Sequence, residues 1–149
     1  MLFRFLSLRV ASTVLVLTTL AACTKKEEVT PPPAATQGMS WTFDGTNATA
    51  TYINAQISGS NVAISGTVGT NTNMLVYAPK VVGTYPLNGS NNATAVYTTN
   101  SPSHSYNATA GTIVISSISA TNVTGTFSFT GTESGVNKAI TNGKFDVNF

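Results

Sequence analysis

Val123-Thr124-Gly125-Thr126-Phe127-Ser128-Phe129-Thr130-Gly131 sets apolar or small residues at every odd position and Thr or Ser at every even one. Successive side chains of a strand point to opposite faces, so a period of two describes a ribbon with one buried and one wetted face. The same period recurs on both sides of this stretch. Met39, Trp41 and Phe43 alternate with Ser40, Thr42 and Asp44, and Val62, Ile64, Gly66 and Val68 alternate with Asn61, Ala63, Ser65 and Thr67. Phe145, Val147 and Phe149 alternate with Lys144, Asp146 and Asn148. No window carries apolar residues at i, i+3, i+4 and i+7, so nothing reads as a helix.

Turn chemistry separates these runs. Asn142-Gly143 is the strongest hairpin signal, because a type I′ turn needs positive φ at both central residues. A two-residue loop there would set Ile140 opposite Phe145 and Lys138 opposite Val147. Ser58-Gly59-Ser60-Asn61, Asn71-Thr72-Asn73, Asn88 to Asn92 and Gly131 to Gly135 mark further turns. Ile57 to Val62 and Ile118 to Val123 resemble each other, each reading as strand, tight turn, strand. Asn-Ala-Thr occurs at Asn47, Asn92 and Asn107 and reads as a turn Asn opening a Thr-rich strand. Met74-Leu75-Val76-Tyr77-Ala78 and Ile113-Val114-Ile115 are apolar on both faces. They predict either central strands covered on both sides or one face that forms a patch or lines a cavity. The fold class that follows is all-β: an antiparallel sandwich or barrel of about nine strands, spanning residues 39–149 as a single domain.

Charge is scarce. Charged residues make up 8% of the 149, against roughly 25% in an average soluble domain, and the formal net charge of +2 resides in Arg4 and Arg9. The remaining five lysines and five carboxylates cancel. A surface this neutral supplies no basic face for nucleic acid, so no nucleic-acid partner is expected.

Residues 1–22 are built as an export signal: Arg4 and Arg9 precede the apolar run Val10 to Leu20. That run is well short of the ~20 residues a membrane-crossing helix needs. It ends in Leu20-Ala21-Ala22-Cys23, which resembles the lipobox of bacterial lipoproteins, with Cys23 as the lipid-attachment residue and new N-terminus. Cys23 is the only cysteine, and lipidation would account for it without a disulfide. Residues 23–38 follow as a flexible tether, whose Pro31-Pro32-Pro33 favours extended chain. Thr24-Lys25 lacks the Asp that would resemble an inner-membrane retention signal, which favours the outer membrane. Lys25-Lys26-Glu27-Glu28 resembles surface-export signals of Bacteroidota lipoproteins, leaving the periplasmic and surface faces both open.

The domain has one histidine, His104, and three carboxylates, Asp44, Glu133 and Asp146. These are too few, and too scattered, for a zinc site, so neither a metal nor a cofactor is expected. His104 lies in Ser101-Pro102-Ser103-His104-Ser105, which has loop composition and no nucleophile elbow, so it reads as an exposed loop histidine. The three carboxylates sit at a strand end, in a Gly-rich turn and on an outward position, and nothing brings two of them together for glycoside hydrolysis. No enzyme is expected. Aromatics are the remaining candidates for a site: Trp41, Tyr77 and Tyr85 could stack on a neutral sugar, or serve as core packing.

Gly83-Thr84-Tyr85-Pro86-Leu87, Gly111-Thr112-Ile113-Val114-Ile115, Gly125-Thr126-Phe127-Ser128-Phe129 and Ile140-Thr141-Asn142-Gly143-Lys144-Phe145 resemble an uncharacterised family of small, β-rich Bacteroidota lipoproteins. The resemblance implies an exported lipoprotein and brings no activity with it. The expected role is a non-enzymatic interaction or structural module of the cell envelope, held on the outer membrane by lipid on Cys23. The alternative is a glycan- or small-ligand-binding lipoprotein, and a hydrolase working through His104 ranks last. Partners are accordingly the membrane and either a glycan or an envelope protein.

Overall fold

Alternation becomes structure in ten strands. The computed structural model describes residues 37–90, 92–100 and 102–149; the export signal, Cys23 and the tether as far as Thr36 lie outside the described residues. The strands are β1 (Gly38–Phe43), β2 (Thr46–Thr49), β3 (Tyr52–Ser58), β4 (Asn61–Val68), β5 (Thr72–Pro79), β6 (Gly83–Pro86), β7 (Thr94–Asn100), β8 (Ser103–Ile118), β9 (Asn122–Glu133) and β10 (Val136–Asn148). All belong to one antiparallel sheet, ordered β2-β1-β10-β9-β8-β7-β5-β4-β3, with β6 paired to β8 off this path. The all-β expectation holds. Of the two architectures the sandwich gives way, because one sheet curls on itself into a half-barrel and no second sheet faces it among the described residues.

The curl brings the two ends of the sheet together at a corner. β2 runs into β3 through Ala50 and Thr51. The Ala50 N–H donates to Met39 C=O on β1 at 2.8 Å, and the Thr51 N–H donates to Thr67 C=O on β4 at 2.8 Å. A single bend thus moves the chain from one edge of the sheet to the other. Across this junction the thioether of Met39 packs directly over Gly66.

The concave face holds the core. Val123, Phe127 and Phe129 of β9, Ile113 and Ile115 of β8, Phe145 and Val147 of β10, and Val62, Ile64, Met74 and Val76 of β4 and β5 are all buried. Each such side chain contributes about 1.5–3 kcal/mol relative to exposure. The inner row changes parity along the longest strands, and bulges absorb each change. On β8 the inward residues pass from Tyr106 to Ile113 and Ile115, with a register shift between Ala108 and Ala110. On β10 they pass from Ile140 to Phe145 and Val147, with a shift between Ile140 and Gly143. An extra residue bends and twists a strand, which is how a flat sheet is made to curl.

The second shift corrects the Asn142-Gly143 hairpin. Ile140 pairs with Phe129 and Phe145 with Gly125, so the two never face each other, and β10 runs unbroken through the dipeptide. Asn142 does take positive φ, at 53°, but it serves a bulge in which Thr141 and Asn142 together stand opposite Ser128. The β9–β10 turn lies at Ser134-Gly135 instead, both at positive φ, and Asp44-Gly45 makes the corresponding turn between β1 and β2. Asn47 and Asn107 lie within β2 and β8 rather than in turns, whereas Asn92 precedes β7 in a loop. Both strand-turn-strand copies are formed, as β3–β4 and β8–β9. The doubly apolar strands are not covered on both sides: Leu75, Tyr77 and Val114 on the outer face are half-buried.

Candidate functional site

Trp41, on β1, is 2% exposed. Its ring meets Tyr97 edge-on with centroids 6.3 Å apart, while Phe43 stacks on Tyr97 at 4.2 Å and lies 5.6 Å from Tyr106. These four rings pack together, and of the two readings of Trp41, sugar platform or core packing, its burial favours packing. The Trp41 Nε1 is buried and has no hydrogen-bond partner among the described residues. Burial also pushes the Tyr97 phenol above its ordinary pKa, against a hydrogen bond with Thr72 that pulls the other way.

Tyr85 is occupied as well. Its hydroxyl donates to Val81 C=O at 2.6 Å, tying the β5–β6 connection to β6, and its ring packs on the edge of the core. It is a structural tyrosine, which corrects its place in a ligand site.

Tyr77 remains. It sits on the outer face of β5, flanked across the strands by Ala63 and Thr94. It lines a depression of about 370 Å³ together with Asn61, Asn92, Ala93 and Thr94. Asn61 opens β4, and Asn92 and Ala93 lead into β7, so two strand beginnings and a central strand deliver one aromatic ring, two carboxamides and one hydroxyl to the same hollow. An aromatic face beside amide donors and acceptors suits a neutral, hydroxyl-bearing ligand. A second hollow of about 290 Å³ between β1, β2 and β10 counts Trp41 among its lining residues, beside Asn47, Ala48, Asn142 and Lys144, but the indole itself is buried.

His104 is not a loop residue. It lies on β8 opposite Thr99, and its Nδ1 is 2.6 Å from Glu133 Oε2, while Glu133 Oε1 accepts the Ser105 N–H at 2.7 Å. That backbone hydrogen bond, with His104 adding to it, holds the Glu133 carboxyl below its ordinary pKa. The sequence signal for this pairing is faint: one histidine and one glutamate 29 residues apart, brought together only because β8 and β9 are neighbours. Lys138 and Asp44 form a second pair at 2.6 Å, and the hydrogen bond that the Lys138 ammonium donates to the Asp44 carboxylate raises the Lys138 pKa. Asp146 accepts from Asn122 Nδ2 at 2.8 Å. Among the described residues, Asp44, Glu133 and Asp146 thus each have their own partner and no two of them face one another. No group of three metal-ligating side chains forms among the described residues.

A family model covering residues 35–147 takes in every strand of this sheet apart from the last residue of β10, Asn148. The chain belongs to the family described as a domain of unknown function (DUF6252). The expected kinship with an uncharacterised family is therefore shown at that level. No curated protein and no solved structure matches the chain. For this DUF6252 member, Tyr77 and its hollow form the candidate site, and Cys23, the lipid-attachment residue expected from sequence, lies outside the described residues.

Proposed function

We propose that this protein is a lipid-anchored, non-enzymatic module of the bacterial cell envelope, displayed from the outer membrane on its proline-rich tether. The observation that carries this reading is Leu20-Ala21-Ala22-Cys23 closing an apolar export signal. The domain's own chemistry agrees with it. Four of its ionisable side chains pair with one another, His104 with Glu133 and Lys138 with Asp44, and the concave face of its sheet is filled by buried side chains. Two or three acyl chains at ~0.8 kcal/mol per buried methylene would hold the chain on a membrane. In cells, Cys23→Ala moves the protein from the membrane pellet to the soluble fraction. A variant that still pellets would overturn the anchor.

A second reading is favoured by the Tyr77 hollow: the module binds a neutral glycan, with the tyrosine ring against a sugar face and Asn61 and Asn92 on its hydroxyls. A glycan array probed with the exported protein is expected to return neutral saccharides. Tyr77→Ala then weakens binding at least about tenfold, roughly 1.4 kcal/mol, with the thermal midpoint monitored in parallel. Binding that survives this substitution in a folded variant excludes the hollow, and a silent array leaves an envelope protein as the partner.

A further inference from the structure

β3 ends the sheet. It pairs with β4 along Tyr52–Ser58 and with no other strand among the described residues, and it comes near β10 without pairing to it. Its outer edge therefore presents backbone N–H and C=O groups, which natural edge strands usually blunt with lysine, proline or a bulge. β3 has none of these. Tyr52-Ile53-Asn54-Ala55-Gln56-Ile57-Ser58 carries no charge and no proline, and its register with β4 is unbroken over all seven residues. Ile57 is 43% exposed although its cross-strand neighbour Val62 is fully buried. An apolar side chain on the core face is left exposed where no further strand among the described residues pairs with β3.

The strand is also symmetric in its chemistry. About Ala55, Asn54 is mirrored by Gln56 and Ile53 by Ile57. We infer that the free edge of β3 is a dimerisation site, pairing antiparallel with β3 of a second copy about a two-fold axis at Ala55. That arrangement sets Ile53 of each copy against Ile57 of the other on the core face, and Asn54 against Gln56 on the outer face. An isologous interface requires such self-complementarity, and directly opposed apolar or amide pairs are the units that stabilise a sheet. With no charge in the strand, two copies meet without like-charge repulsion.

The test uses the exported chain carrying Cys23→Ala, which also removes the only thiol. Sedimentation velocity is expected to report twice the monomer mass, and Ile57→Lys to restore the monomer. Two further chains, Asn54→Cys and Gln56→Cys, are mixed under mild oxidation. They are expected to form a disulfide-linked dimer several-fold faster than Asn54→Cys alone, whose two thiols would lie two residues out of register. A monomeric parent overturns the inference, as does a dimer that persists in folded Ile57→Lys. A dimer whose cross-links ignore this register overturns it even if Ile57→Lys fails to fold.

Discussion

Gly125 leaves no room for a methyl group: a Cβ there would run into Val114 C=O and the ring of Phe145. In sequence it is merely a small residue within an alternating stretch, and the contact exists only because β8 and β10 flank β9 on either side. Gly125→Ala is expected to cost about 1–3 kcal/mol, read as a lower urea midpoint at unchanged slope. Glu133 shows what the sequence conceals in the other direction, since an apparent turn residue proves to be half of a tie. Its folded pKa lies below the ordinary 4.5, so the ionised form is favoured in the native state. The stability it contributes is present above that ordinary value and is lost as pH falls through the lower, folded value. Stability measured against pH for wild type and Glu133→Gln should differ at neutral pH and converge in acid. Curves that stay parallel would assign the destabilisation to shape rather than charge.

Strands were legible wherever alternation was unbroken. β1, β4, β9 and the second half of β10 lie where the period of two puts them. Breaks in the alternation were harder to read. A parity change such as Ile140 to Phe145 is satisfied equally by a hairpin or by a bulge, and Asn142-Gly143 offers the positive φ that either requires. The choice fell to the neighbours: β1 and β9 pair with β10 on both sides of the dipeptide, and folding it into a turn would forfeit both ladders. β8 begins earlier than its composition indicates, for a related reason. Its first residues, Ser103-His104-Ser105, are polar because they lie near the rim, yet they pair with β7 throughout. The true β9–β10 turn puts Ser134 at φ 48°, a conformation that Asn tolerates better. Ser134→Asn is expected to stabilise the protein by up to about 1 kcal/mol, seen as a higher thermal midpoint, whereas a neutral or lower midpoint would argue against a type I′ turn.

At the scale of the molecule, one contiguous core joins all the long strands, from Met39 through Trp41 and Phe127 to Val147. A single core under a single sheet should unfold in one cooperative step. Loss of far-UV circular dichroism and the change in Trp41 fluorescence are expected to coincide in urea, and separated midpoints would divide the sheet into independent parts. The sequence by itself determined the all-β class, the faces of the regular strands, the near-absence of charge and the expected address at Cys23, because each depends on residue type and local spacing alone. Only the tertiary structure decided that the sheet curls rather than doubles, that Trp41 and Tyr85 belong to packing while Tyr77 faces outward, and that His104 meets Glu133. These outcomes depend on which strands become neighbours and where bulges reset their faces, and neither is set by the residues of one strand considered apart from the others.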